Sequence, residues 1–396
     1  MKIFKSLFTI ITLTVFLSIF FSGAAAGQNN IIIGLDADMS SGSAKSGRAI
    51  MRGAQIAMDE INSSGGVLGQ QLELVIKDHR GNPARGIDNI SDFSQMKNMA
   101  AVLGGLHTPV AMAELEILHE RKIIYLCPWA AGTPVVRHKY TPNFVFRVSV
   151  RDEYAGGFLI GKALDAGFKR PALLLEQTGW GRSNKRSMTH ALETKGVESA
   201  GLFWFNWGVK DLTRQIQAAK KAGADVIMLV ANSPEGVVAV KSMAGLPKEE
   251  RLPIRSHWGI TGGEFFKAVK SSLEKIDFKF LQTYSFINPV FQDRNEKIVR
   301  AYMKKYPETA SARDIFAPVG TAHAYDLVHL LKLAVEKAGT IESTAVREAL
   351  EQIKSYKGLV KNYLPPFTPE KHDALNAGDF TLAIYDENGV IVPVGI

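Results

Sequence analysis

Residues 53–83, GAQIAMDEINSSGGVLGQQLELVIKDHRGNP, constrain this chain more than any other stretch. Ala54, Ile56, Ala57 and Ile61 recur at helical spacing, and the run then meets Asn62 and the pair Gly65-Gly66. Glycine alone takes positive φ cheaply, so two glycines after an amphipathic run predict a helix that ends in a sharp turn. Leu72, Leu74 and Ile76 then alternate with polar residues, which predicts a strand. Asp78 closes that strand, and Asn82-Pro83 opens the next helix.

The same alternation continues along the chain. Strands are expected at 31–35, 72–76, 101–103 and 123–126, with helical patterns between them. A second series places strands at 171–175, 202–205, 226–230 and around Ile254, and helices at 154–166, 183–195, 212–222 and 234–244. Strands that alternate with helices build parallel sheets covered on both faces. Two such series in tandem predict two similar lobes, and 396 residues exceed one ordinary core. The tail segments 381–385 and 390–394, joined by Asp386-Glu387-Asn388-Gly389, are expected to pair as a hairpin.

The first residues read as a secretory signal. Lys2 and Lys5 form the positive region, Leu7 to Phe21 the apolar run, and Ala24-Ala25-Ala26 a cleavage site near Ala26. That run is short for a spanning helix, which needs roughly 20 residues. No cysteine stands at the cleavage region to carry a lipid, so the expected location is the periplasm. The single cysteine, Cys127, follows the apolar run Ile123-Ile124-Tyr125-Leu126 and is expected to be an inert buried thiol. The formal net charge of +8 is spread in pairs such as Lys220-Lys221 and Lys304-Lys305 among acids, the pattern of solvated helix faces rather than of a nucleic-acid surface.

Catalytic signatures are missing from the sequence. There is no G-x-G-x-x-G, no P-loop and no G-x-S-x-G. His119-Glu120 lacks the second histidine of a zincin helix, and His323 and His329 do not have the spacing of paired ligands on one helix face. Asp36 and Asp38, in DADMSSGS, are expected to serve turns and caps rather than acid–base chemistry. No catalytic residue, metal ligand or cofactor is therefore assigned.

The 53–83 string resembles the start of the type I periplasmic solute-binding proteins, in particular the branched-chain amino acid (Leu/Ile/Val)-binding family of ABC importers. There the pattern A...IN..GG..G..L.L...D....P links the first helix to the second strand, and the resemblance runs at lower density along nearly the whole mature chain. It implies an α/β fold of two doubly wound, Rossmann-like lobes joined by a three-segment hinge. The crossings would fall near 146–150, 282–286 and 364–367, with helices at 296–306, 319–338 and 343–353 completing the first lobe. The resulting division is a signal peptide at 1–26, lobe 1 at 27–148 plus 284–364, and lobe 2 at 149–283 plus 365–396. The implied function is capture of a small molecule between the lobes and delivery to the membrane permease of an ABC transporter, by a monomer. A ligand-sensing receptor subunit of the same fold is the alternative within the binding class, and an α/β enzyme the alternative outside it.

Ligands of open α/β sheets sit beyond the carboxyl ends of the strands. The segments to inspect are therefore Ser46-Gly47-Arg48, Leu106-His107-Thr108, Trp129-Ala130-Ala131, Trp180-Gly181, Asn232 and Trp258. By resemblance, Leu106, His107 and Thr108 match the loop that holds an α-carboxylate, and a helix starting near Thr108 favours an anion on physical grounds as well. Trp129 to Ala131 match the loop that grips the α-ammonium through backbone oxygen and a threonine hydroxyl. Trp180 matches an aromatic wall from the second lobe, and Asn232 and Trp258 match positions that are tyrosine and an acidic residue in amino-acid binders. Here the chain departs from the pattern, with Ala131 in place of the threonine and Trp258 in place of the acid. An ammonium would lose charge-assisted hydrogen bonds of about 1.5–3 kcal/mol each. Trp129, Trp180 and Trp258 instead predict a pocket for a flat aromatic acid or a quaternary ammonium, with Arg48, His107 and Arg182 available to neutralise a carboxylate. Trp204 and Trp207 are expected to pack.

Overall fold

The computed structural model describes residues 30–394; the signal and cleavage site expected before Gly27 lie outside the described residues. Two parallel sheets organise the chain. The first runs β1 (Ile31–Ala37), α1 (Ala44–Ser63), β2 (Leu72–Asp78), α2 (Pro83–Ser94), β3 (Met99–Leu103), α3 (Thr108–Glu120), β4 (Tyr125–Cys127) and β5 (Val145–Arg147), with strand order β2-β1-β3-β4-β5. The second follows with α4 (Asp152–Asp165), β6 (Pro171–Glu176), α5 (Gly179–Thr194), β7 (Gly201–Phe205), α6 (Thr213–Lys221), β8 (Val226–Val230), α7 (Ser233–Gly245), β9 (Ile254–Ser256), α8 (Phe265–Leu273) and β10 (Phe278–Gln282). Its order, β7-β6-β8-β9-β10, repeats that of the first sheet. Each lobe therefore has its topological switch point beside its first strand, where doubly wound sheets bind ligands.

The chain then returns to the first lobe as α9 (Gln292–Lys305), α10 (Pro318–Ala338) and α11 (Ser343–Glu351), followed by a ribbon of β11 (Tyr356–Lys357) and β12 (Asn362–Tyr363). It ends as the antiparallel hairpin β13 (Thr381–Tyr385) and β14 (Ile391–Val394), which extends the second sheet beside β10. Asp386 accepts from the backbone of Asn388 and Val390 to close that hairpin, and Gly389 takes φ 81° in its turn.

The 53–83 motif folds as read. Gly65 and Gly66 adopt φ 103° and 78°, and the Gly66 amide donates back to Ile61 to stop α1. Asn62 then mimics a strand partner: its side-chain oxygen accepts from Leu72 N (2.7 Å) and its amide donates to Leu72 O (2.9 Å). Asn82 caps α2 by accepting from Ala84 and Arg85. The central strands β6 and β8 are buried at every residue, as sheets covered on both faces require, whereas β2 is an edge strand with Ile76 partly exposed.

The passages between sheets fall at 148–151, after β10, and between Ala374 and Thr381. The last is later than the segment at 364–367. Residues 372–374 lie alongside β5, with Arg147 N donating to His372 O (2.8 Å) and Ala374 N to Arg147 O (2.9 Å). A buried ion pair, Arg147 to Asp373 (2.6 Å), pins them there. No helix among the described residues is long and apolar enough to cross a membrane.

Candidate functional site

The carboxyl ends of both sheets face one another across a small cavity. Leu106, His107, Thr108 and Pro109 follow β3, Trp129 to Ala131 follow β4, and Glu176, Trp180, Asn232 and Trp258 come from the second lobe. With the lobes together, only about 10 Å³ of space lies between these walls. That is room for about one water, so the walls meet in this closed state and a ligand is admitted only as the lobes part. Trp129 and Trp258 meet across the lobes with ring centroids 5.6 Å apart. Trp180 stands on the second-lobe side, its indole N–H donating to Asp152 Oδ1 at 3.2 Å.

Ser46 and Arg48 do not line this cavity. Both lie on α1: Ser46 is buried against the turn at Trp258–Gly262, and Arg48 borders an outer groove with Pro234 and Glu264. Arg182 is exposed on α5. Trp207, expected to pack, stands half-exposed at the cleft mouth, 5.6 Å from the His107 ring, with its indole N–H donating to Glu176 Oε2 at 2.9 Å.

Three helices start at the cavity, and their starts differ. Thr178 caps α5, accepting from Trp180 N and Gly181 N. The first turn of α7 carries its own acid, Glu235. The start of α3 has neither a side-chain cap nor an acid. Its N-cap residue, His107, turns its Nε2 to Ser43 Oγ (3.1 Å), and its buried Nδ1 has no hydrogen-bond partner among the described residues. Burial lowers the His107 pKa to about 4, so the ring is neutral at pH 7. The bare start of α3 makes the first-lobe wall a place for an anion.

The neighbouring first-lobe loop after β4 is already committed. Trp129 O accepts from Ser149 Oγ (2.8 Å), Ala130 O from Arg147 Nη1 (3.1 Å) and Ala131 O from Asp152 N (2.8 Å). Gly132 O accepts from Arg147 as well, at 2.8 Å. The Arg147 guanidinium, itself paired with Asp373, takes up carbonyls that would otherwise be free to grip an ammonium.

Glu176 is the site residue that the sequence reading passed over. It is fully buried at the carboxyl end of β6, and its carboxylate accepts from Thr178 Oγ1 (2.6 Å), Trp207 Nε1 and Asn232 Nδ2 (3.1 Å). Burial first, with Glu235 nearby, raises its carboxyl to about 7. The signal was a charge closing the apolar run PALLLE, at the strand end where ligands sit. Among the described residues no group of three or more His, Cys, Asp or Glu is placed to hold a metal ion.

Two lobes of one topology, with an aromatic cavity between their strand ends, define a bilobal binding protein. The chain belongs to the periplasmic binding protein family, whose model matches residues 30–381. It is 26% identical over 351 residues to the Leu/Ile/Val-binding protein BraC3 of Rhizobium johnstonii, covering 87% of this chain and 90% of that protein. Its fold is shared with the branched-chain amino acid transporter binding protein LivJ of Streptococcus pneumoniae, solved with isoleucine (TM-score 0.76, 21% identity, 92% of this chain and 99% of that one). It is shared equally with a solute-binding protein of an R. palustris ABC transporter solved with 4-hydroxybenzoate (TM-score 0.79, 19% identity, 93% and 96%).

Proposed function

We propose that this protein is an extracytoplasmic solute-binding protein that closes two lobes on a small molecule and delivers it to an ABC importer of the branched-chain amino acid type. Its ligand is an aromatic carboxylate or similar non-standard solute rather than leucine, isoleucine or valine. The observation that carries this reading is the polarity of the cavity. The anion-favouring start of α3 faces it, while the loop that would take an ammonium has its carbonyls engaged by Arg147, Ser149 and the Asp152 amide. Trp129, Trp180 and Trp258 supply flat apolar walls for a ring. Relatives named for branched-chain amino acids and a fold neighbour holding 4-hydroxybenzoate are both compatible with the fold, and the tryptophan walls support the aromatic ligand. The leader at 1–26, the periplasmic location, the monomeric state and the absence of catalysis belong to the same reading.

A thermal-shift panel on the mature protein, unfolded and refolded to strip carried ligand, tests it. Aromatic carboxylates at a hundred times Kd are expected to stabilise by about 2.7 kcal/mol, with branched-chain amino acids silent. A shift with leucine, isoleucine or valine alone would reverse the assignment.

A further inference from the structure

We propose that Glu176 is a specificity-determining residue of this cleft, selecting among aromatic acids those whose ring carries a hydroxyl or amino hydrogen-bond donor. The inference rests on the aromatic-acid reading and goes beyond it by fixing the chemistry of the ligand's other end.

Glu176 is the one acidic side chain lining the inner cavity among the described residues. Its two oxygens offer about four acceptor positions. Trp207 and Asn232 occupy Oε2, and Thr178 occupies one position on Oε1, which leaves Oε1 an acceptor position to spare. The neighbouring acids are engaged elsewhere. Asp152 lies behind Trp180, with the indole and His257 Nε2 both 3.2 Å from its Oδ1. Glu235 accepts from Gly208 N and borders the outer chamber beside Trp207. The cavity is thus polar end to end, with a bare helix start in the first lobe and a carboxylate in the second. An anionic ligand lies with its carboxylate toward α3, and the rest of its ring faces Glu176. A donor there fills the spare position on Oε1 with a charge-assisted hydrogen bond, whereas a plain ring leaves that position empty. The difference should be about tenfold to a hundredfold in affinity.

Calorimetric titration at pH 8, where Glu176 is ionised, decides the matter. The wild type and Glu176→Gln are titrated with benzoate, 3- and 4-hydroxybenzoate, 4-aminobenzoate and 4-methoxybenzoate. The wild type should bind at least one hydroxy- or amino-acid about tenfold or more tightly than benzoate, with 4-methoxybenzoate no better than benzoate. Glu176→Gln should compress that preference to about twofold. Equal binding of benzoate, 4-methoxybenzoate and the donors overturns the role of Glu176 and leaves the aromatic-acid reading intact. A preference unchanged in Glu176→Gln does the same. Silence toward the whole series, with a response to branched-chain amino acids, overturns both. If Glu176→Gln does not fold, the wild-type series alone still decides.

Discussion

Asp36 and Asp38 sit two residues apart in one motif and do opposite things. Asp38 does the turn work the sequence predicts, accepting from the backbone of Ser41 (2.7 Å) and Ser43 (2.9 Å). Asp36 is buried instead, hydrogen-bonded to Asn89 (2.7 Å) and paired with Glu114, which in turn accepts from Tyr125. Burial first, and Glu114 second, raise the Asp36 carboxyl to about 10. The folded protein therefore holds a proton that the unfolded chain releases near 3.8. The resulting stability is complete below that pH and is lost progressively as pH climbs toward 10. Asp36→Asn keeps the shape without the proton. Urea midpoints at pH 5, 7 and 9 should move in favour of the variant as pH rises, by at most about 1.4 kcal/mol per pH unit. Parallel profiles would mean the pair is ionised and compensated. Asp38 was legible because its partners are its neighbours in sequence. Asp36 was not, because Glu114, Tyr125 and Asn89 come from three other elements. Cys127 was legible from its apolar run: it is buried and its pKa is pushed up to about 11.

At the scale of elements, periodicity located the strands and helices, and the errors fall where side-chain caps or distant pairings decide. The helix expected from 183 begins at Gly179, because Thr178 caps it, which places Trp180 in the first turn rather than in a loop. The last passage between lobes is delayed to after Ala374 by the Arg147–Asp373 pair. Asp373→Ala would leave Arg147 buried without its partner, and loss of one member of such a pair costs about 3–5 kcal/mol. The same guanidinium holds the carbonyls of Ala130 and Gly132. Denaturant titration should therefore show a loss of that size, with ligand affinity falling in the fraction that remains folded. A loss below about 1 kcal/mol would show that water replaces the carboxylate. α1 crosses α10 tightly at Gly53, where an added Cβ would lie 2.1 Å from Thr321 O. Gly53→Ala should cost about 1–3 kcal/mol by overpacking, read in the same titration, although alanine is the better helix former. A neutral or stabilising result would mean that the two helices part without penalty.

The whole molecule stands with its lobes together, and the contacts across the rim differ in kind from those in the cavity. Thr133 N donates to Ser183 Oγ at 3.1 Å on one side, and Trp129 meets Trp258 in the centre. On the far side two ion pairs bridge the lobes: Lys45 of α1 with Glu264 before α8 (3.6 Å), and Arg313 with Asp386 of the terminal hairpin. Glu264 and Arg313 are well exposed, so each pair contributes about 0–1 kcal/mol and is screened by salt. Both pairs need the lobes together, so their stabilisation belongs to the closed state. The observed Kd is the intrinsic value divided by the fraction of molecules competent to close on ligand. Glu264→Gln with Asp386→Asn should therefore weaken ligand binding by up to about fivefold per pair without altering ligand preference. The effect should shrink between 0.05 and 0.5 M salt as the wild-type pairs are screened. Small-angle scattering without ligand should show the double variant more extended than the wild type. If affinity and scattering are unchanged at low salt, the rim pairs are incidental. Closure would then rest on the tryptophans and the ligand between the lobes.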